Sequence, residues 1–337
     1  MHSGLTLALI TASATQAVAQ LAGKVAAISQ PGVEKLSVGK DGVNGPGLNT
    51  LPLPHYTITK RTNGLLPEPC VNIAAMPEYA ANCPRSGIDV YDVLYADCAA
   101  PKVICRCGSS SDVHSPDVLA QKLGRVPLKG RQRVRVLMNV VNPGYAGAWA
   151  NGADLAIVGS AYNNIQSVYL HEVGHLIDYR VGLDTEPKTQ PWSGRAGFTN
   201  AIAADQCVAD EYAKMSYPEA FSQMAVIAAW DIYRETYKNL NERIRTTTCL
   251  DNQFRSAMSI LNDYYKQGQW GCASAYQIQN TCVNPPCASL KTRQEIEAEA
   301  SGVVFEDASK YIKAYAKSHG HNASDPTLGP AGYFHKI

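Results

Sequence analysis

The stretch LHEVGHLIDYR, residues 170–180, places polar side chains inside an apolar helical pattern. Apolar residues recur at helical spacing from position 165 to 177, and Gly182 is the predicted stop. On a helix, His171 and His175 project from one face, so both imidazoles can bind one zinc ion. Glu172, about 100° round the helix, can reach a water on that ion. The pattern therefore predicts a helix that carries part of a metal site.

The residue types of this helix also suggest a chemistry. Zinc lowers the pKa of a bound water towards neutrality, and Glu172 can take its proton and pass it to a leaving amine. The alternative is that the histidines and the glutamate are ordinary polar residues of a helix surface. A third protein ligand elsewhere in the chain would favour the zinc site.

Three arrangements for this third ligand differ in their spacing. A metzincin needs Gly and His where the chain has Asp178 and Val181, so this arrangement fails. An aspzincin uses an Asp nine residues after the second histidine, where Asp184 stands without the expected Gly-Thr before it. A gluzincin takes a Glu from a following helix, for which Glu211 and Glu219 are candidates.

Residues 212–223, YAKMSYPEAFSQ, resemble the second motif of gluzincins similar to anthrax lethal factor and the Pro-Pro endopeptidases. That motif has a Tyr seven residues before a Glu, then an aromatic and an acidic residue. The resemblance implies that Glu219 joins His171 and His175 as the third ligand of one zinc ion, and that Tyr212 stabilises the tetrahedral oxyanion. Gln223 departs from the motif, because the family usually has Glu there as a partner of a ligand histidine. An amide can still accept from an imidazole N–H, but it tunes the metal less.

Structural alternatives remain open for several of these residues. Residues 216–219, SYPE, also form a capping-box pattern in which the Glu219 carboxylate caps the start of a helix. Asp178, on the same face as His171, is either a partner of a ligand or a surface carboxylate. Three histidines of a Gly-containing tail are expected to face solvent: His319, His321 and His335.

The charge balance excludes a broad electrostatic surface for nucleic acid or anionic membranes. The 337 residues include 30 Lys plus Arg and 29 Asp plus Glu, and 45% are hydrophobic. No run reaches the roughly 18 apolar residues of a transmembrane helix. We expect a globular protein whose partner is a peptide or protein substrate, while the sequence leaves the oligomeric state open.

Secretion is predicted by both the N-terminus and the cysteines. Residues 1–19 have the pattern of a signal peptide, and Asn322 begins an N-glycosylation sequon. Ten cysteines favour disulfides in an oxidising compartment, with Cys105 and Cys107 as part of a structural zinc site as the alternative. Five cysteines are early and five late, so complete pairing within the chain needs at least one bridge between the groups, which would tie the predicted lobes together.

The chain is predicted to be an α+β protein with two lobes after the signal peptide. Residues 20–54 form an extended, low-complexity segment with little core; residues 55–200 form a strand-rich lobe with the HEVGH helix; residues 201–337 form a helical lobe with the third ligand. Later helices are predicted at 216–236, 252–267 and 303–317. Residues 152–160, GADLAIVGS, are predicted as an edge strand that could pair with substrate. Lys60-Arg61 is either a dibasic processing site or, as we favour, part of an ordered strand.

Several longer segments resemble the fungal conidiation-specific secreted protein family: YTITKRTNGLLPEPC, DVYDVLYADC, VICRCG, GRVPLKGRQRVR and ADQCVADEYA. This resemblance implies a secreted protein of the cell wall or spore surface, without a substrate. The gluzincin motifs imply a zincin-like fold and a secreted zinc endopeptidase. The alternative is a catalytically inactive zincin-fold protein with a binding or structural role, for which Gln223 leaves room.

Overall fold

The computed structural model describes residues 21–29, 31–39, 46–62, 64–108, 110–144, 146–161, 165–185, 190–234, 247–266, 276 and 278–282. The signal peptide, the Asn322 sequon, the tail histidines and the helix predicted at 303–317 lie outside these residues. The chain divides into a first unit from residues 1–51 and 164–267 and a second unit from residues 52–163 and 268–337. This division differs from the boundary expected near residue 200, because the HEVGH helix packs with the helices that follow it.

The described residues combine strands and helices, which confirms the mixed α+β class. The strands are β1 (Val25–Ala26), β2 (Tyr56–Lys60), β3 (Leu65–Pro67), β4 (Ile88–Tyr95), β5 (Lys102–Cys107), β6 (Val136–Val140), β7 (Gly147–Asn151), β8 (Asp154–Val158), β9 (Cys207–Val208) and β10 (Asn280–Cys282). The α-helices are α1 (Glu68–Ala74), α2 (Pro77–Ala80), α3 (Pro116–Gly124), α4 (Leu128–Arg131), α5 (Gln166–Asp184), α6 (Ala196–Ala204), α7 (Tyr217–Tyr233) and α8 (Asp251–Tyr265). None of these helices combines the length and hydropathy that a bilayer span requires.

The second unit is built on a six-stranded sheet with the order β2-β4-β5-β6-β8-β7. Strands β5, β6 and β8 run parallel, and their residues pair in register as Ile104, Leu137 and Leu155. Both β6 and β8 are buried along their whole length, as is typical of parallel strands covered on two faces. Lys60 ends β2 and Arg61 forms a bidentate ion pair with Asp92, so the ordered-strand interpretation of Lys60-Arg61 is confirmed.

The predicted edge strand GADLAIVGS is not at the edge. Its strand β8 lies between β6 and β7, and β7 ends the sheet order. Asn151 pairs with Asp154 across a two-residue turn in which Gly152 has a φ of 62°. Gly at the first position of a two-residue hairpin loop suits such a turn, because Gly adopts a positive φ without strain. The hairpin adds β7 outside β8, so the edge prediction was wrong by one strand.

Disulfides lie within each unit. Cys70–Cys105 and Cys83–Cys107 attach the α1–α2 segment and the loop after it to β5, and these bonds exclude a zinc site at Cys105 and Cys107. Cys98 is also disulfide-bonded, and the other early cysteines pair among themselves, so its partner belongs to the late group. The predicted bridge between the two groups is therefore confirmed. It lies inside the second unit rather than between lobes, because residues 52–163 and 268–337 belong together.

The N-terminal segment is a folded part of the first unit. Strand β1 pairs in parallel with β9, which the Cys207–Cys249 disulfide joins to the 3-10 turn Thr247–Leu250 before α8. Side chains of the segment are buried although we expected little core there: Leu21, Ala27, Ile28, Val33, Leu36, Leu48 and Leu51. The expectation of little core was wrong because it was based on the Gly and Pro content of the segment. These residues indicate turns, but they do not show whether the apolar residues between them are buried.

Helix α5 packs against α7 at a glycine in the middle of the HEVGH motif. A Cβ at Gly174 would lie 2.9 Å from the Ala225 Cβ and 3.0 Å from the Ser222 Cα. Such distances are shorter than carbon atoms tolerate, so the absence of a side chain at Gly174 sets how closely the two helices approach.

Asp178, which we predicted to be either a partner of a ligand or a surface carboxylate, is fully buried on α5. It accepts hydrogen bonds from the Ser193 backbone N–H at 2.7 Å and from the Ser193 hydroxyl at 2.6 Å. The carboxylate therefore holds the turn Trp192–Gly194 against α5. Burial raises its pKa from 3.8 to about 7, although both hydrogen bonds oppose this shift.

We predict that Gly174→Ala lowers the free energy of unfolding by about 1–3 kcal/mol, because the added methyl forces α5 and α7 apart. Gly197→Ala, in α6, is the matched control, since a Cβ there meets open space. That variant should be neutral or stabilising by up to about 1 kcal/mol. Urea unfolding of both variants checks the expectation, and equal stabilities would contradict it.

We also predict that Asp178→Asn gains stability relative to the wild type as the pH rises from 4 to 8. Between pH 3.8 and about 7, Asp178 keeps its proton in the folded state and has lost it in the unfolded state. The free energy of unfolding that this group contributes therefore falls with rising pH, by an amount on the order of a few kcal/mol. Thermal unfolding across this range measures the difference. Asp184→Asn, an exposed change on the same helix, should run parallel to the wild type, and a parallel Asp178→Asn curve would refute the assignment.

Candidate metal centre

The polar residues of the HEVGH motif lie inside the first unit rather than on its surface. His171, Glu172 and His175 have no exposed side-chain surface in the middle of α5. Burying such groups costs several kcal/mol unless they find partners or a metal ion. The alternative that they are ordinary surface residues is therefore wrong.

Glu219 meets both histidines from the first turn of α7. Its Oε2 lies 3.0 Å from the His171 Nε2 and 3.3 Å from the His175 Nε2, and the two nitrogens are 3.0 Å apart. A tetrahedral ion with bonds of about 2.0–2.1 Å holds its ligand atoms roughly 3.3 Å from one another. The three buried atoms form a triangle close to that size, so this group can hold a metal ion.

The start of α7 explains how Glu219 reaches the histidines. Ser216 caps the helix, and its hydroxyl accepts from the Glu219 backbone N–H at 3.2 Å. In a full capping box the Glu carboxylate would turn back to the backbone of the cap residue. Here the carboxylate lies against the imidazoles. Of the two hydrogen bonds of the predicted capping box, only the one from the Glu219 N–H to the Ser216 hydroxyl is formed. It holds Glu219 in the first turn of α7, where its side chain completes the triangle.

The protonation of His175 and Glu219 suits a divalent cation. Burial lowers the pKa of His175 to about 4, which leaves its imidazole neutral at pH 7. Burial alone would raise the pKa of Glu219, but the nearby histidines outweigh it and lower that pKa to about 2. A neutral imidazole and an ionised carboxylate are the forms in which these residues bind metals.

Glu172 lies beside this triangle as a buried carboxyl group. Neither of its oxygens has a hydrogen-bond partner among the described residues. Burial, and then the negative charge of Glu219, raise its pKa well above the ordinary value. A carboxylate without donors is a strong base, so Glu172 is suited to receive a proton.

The aromatic residue of the second motif also reaches the centre. Tyr212 lies in a 3-10 turn, Tyr212–Lys214, and its ring centroid is 5.7 Å from that of His171. The structure thus brings together all five predicted site residues: His171, Glu172, His175, Tyr212 and Glu219.

The other third-ligand candidates lie elsewhere. Glu211 is half exposed and pairs with Lys214 at 2.8 Å. Asp184 is half exposed and pairs with Arg180 at 2.8 Å. Both carboxylates are surface partners of a neighbouring cation, so the aspzincin arrangement and the Glu211 alternative are wrong.

Gln223 connects the centre to a residue that the sequence did not indicate. Its Oε1 lies 3.1 Å from the His171 Nδ1, and its Nε2 donates to both oxygens of Asp210 at 2.9 and 3.1 Å. Burial raises the pKa of Asp210, while donors from Val33, Ala213 and Gln223 oppose that shift. No spacing rule relates Asp210 to HEVGH. Its position two residues before Tyr212 is the one feature of the sequence that could have indicated a role at the centre.

Comparison with known proteins identifies the family. The chain is 28% identical over 274 residues to conidiation-specific protein 13 of Neurospora crassa. The aligned region covers 76% of this chain and 73% of that protein. No solved structure matches. None of these findings supports the gluzincin resemblance, which stays a prediction. The family model for conidiation-specific protein Con-13 matches residues 34–324, so this chain belongs to the Con-13 family.

Proposed function

We propose that this protein is a secreted zinc-dependent endopeptidase of the gluzincin type, with a zincin-like fold. The observation that carries the proposal is the buried triangle of His171, His175 and Glu219, with the Glu172 carboxyl group beside it. Donors of this kind and number are typical of catalytic zinc sites that keep a fourth position open. The disulfides are consistent with secretion, because such bonds persist in oxidising compartments.

In this proposal each residue has one role. His171, His175 and Glu219 hold the ion, which when bound acidifies water and polarises a carbonyl group. Glu172 accepts a proton from the attacking water and passes it to the leaving amine. Tyr212 donates a hydrogen bond to the negative charge that develops on the peptide carbonyl oxygen. The substrate is a peptide or protein.

The second candidate function is that of an inactive zincin-fold protein of the spore surface or cell wall, with a binding or structural role. Gln223 favours it, because the amide stands where the related peptidases usually have a carboxylate. The family name refers to conidiation and to no reaction.

We predict that the purified wild type contains one zinc ion per chain and cleaves members of a broad peptide library. Glu172→Gln should keep the zinc and lose activity by about 10²-fold or more, because the amide cannot accept the proton. Glu211→Gln is the matched control, an exposed carboxylate of the same unit that should keep both properties. Metal analysis and peptide cleavage measure the two effects. Absence of metal from the wild type would refute the proposal, and zinc without turnover would select the second function.

We further predict that Tyr212→Phe lowers kcat by about 10²-fold and leaves the zinc content and KM close to those of the wild type. The ring packing beside His171 is kept, and the hydrogen bond to the developing oxyanion is lost. Steady-state kinetics separates kcat from KM. Loss of zinc from this variant would show instead that the phenol supports the ligands.

A further inference from the structure

The orientation of the Gln223 amide is set by its two neighbours. Its Nε2 can only donate, and both of its contacts on that side are carboxylate oxygens of Asp210. A flipped amide would point its own oxygen at the carboxylate and lose both hydrogen bonds. Asp210 therefore keeps the Gln223 oxygen directed at the His171 Nδ1.

An amide oxygen beside Nδ1 in turn selects the tautomer of His171. The oxygen can only accept, so Nδ1 must carry the proton. In a neutral imidazole the lone pair is then on Nε2, the atom 3.0 Å from the Glu219 Oε2. This is the tautomer in which Nε2 can bind a metal ion, and a hydrogen bond at the opposite ring nitrogen holds the ring in place.

Asp210 is held in place from the opposite side by the N-terminal segment. It accepts from the Val33 N–H at 3.0 Å and from the Ala213 N–H at 3.0 Å, and it is buried. Gly32, with a φ of 88°, lies against its carboxylate so closely that a Cβ there would overlap it. The Ile28 N–H donates to the Ala209 carbonyl at 2.7 Å, which fastens the segment just before Asp210.

We infer that Asp210 is a positioning residue of the metal centre, acting through Gln223 on the tautomer of His171. The negative charge that would otherwise come from a carboxylate at position 223 comes here from Asp210, one hydrogen bond further away. Gln223 is then part of a working ligand support rather than a sign of lost metal binding. The N-terminal segment contributes to the same support through the Val33 N–H. The inference rests on the proposed function only in taking the metal to be zinc.

The first test measures zinc affinity by competition with a chelator in Asp210→Asn. We expect the Kd to rise by about 10- to 100-fold, because the Gln223 amide is free to flip and the tautomer is no longer selected. The double variant Asp210→Asn, Gln223→Glu should recover most of the affinity, since a carboxylate at 223 accepts directly from His171. Asp205→Asn is the matched control, a buried carboxylate that caps α8 through the N–H groups of Asn252 and Gln253. It should lower the thermal stability without a change in Kd.

The second test reads the tautomer by ¹⁵N NMR of His171 in the metal-free wild type. We expect the proton on Nδ1 in the wild type and a mixture of tautomers in Asp210→Asn. A wild-type proton on Nε2, or unchanged Kd and tautomer in Asp210→Asn, overturns the inference while the zinc proposal can still hold. A wild type that has the expected tautomer but binds no zinc overturns the proposed function and leaves the positioning role of Asp210 standing. If Asp210→Asn does not fold, the wild-type tautomer and the double variant decide.

Discussion

The close packing of α5 on α7 at Gly174 is the contact on which the candidate centre depends. The histidines belong to α5 and Glu219 belongs to α7, so the distance between the two helices sets the size of the ligand triangle. A side chain at Gly174 would overlap Ala225 and Ser222, which follow Glu219 within two turns of α7. Because protein cores are close-packed, even one methyl group at this position must displace a helix. The glycine inside HEVGH is therefore part of the ligand geometry as well as of the motif.

Electrostatics within the first unit follow from this packing. A buried carboxylate and two imidazoles in contact are costly by themselves, since each group has lost its hydration. A divalent cation among them would offset that cost, as would the hydrogen bond that Gln223 accepts from His171 and those that it donates to Asp210. Asp210 accepts hydrogen bonds from three separate segments: from Val33 in the N-terminal segment, from Ala213 in the 3-10 turn Tyr212–Lys214 and from Gln223 in α7. The support of one histidine thus involves three separate segments of the first unit.

Local patterns predicted much of the fold. The helices expected at 216–236 and 252–267 match α7 and α8, and Ser216 caps α7 as the SYPE pattern indicates. Spacing also found the two histidines of the triangle, and the resemblance to gluzincins implied Glu219 as its third residue. The prediction failed where the answer depended on distant pairing. The hairpin that puts β7 outside β8, the burial of the N-terminal segment and the grouping of α5 with the later helices all depend on contacts far apart in the chain.

The sequence by itself determined which side chains could form a metal centre, because helical periodicity and capping act over a few residues and are visible in the letters. It also limited the third ligand to three carboxylates. The gluzincin resemblance favoured Glu219, and the tertiary structure separated the three, since Asp184 and Glu211 are half exposed and paired with neighbouring cations while Glu219 is buried against the histidines. The tertiary structure alone revealed Asp210, whose relation to His171 runs through the Gln223 amide and through backbone donors that have no sequence signature. Contacts of this kind arise from packing in three dimensions, which residue spacing along one chain does not encode.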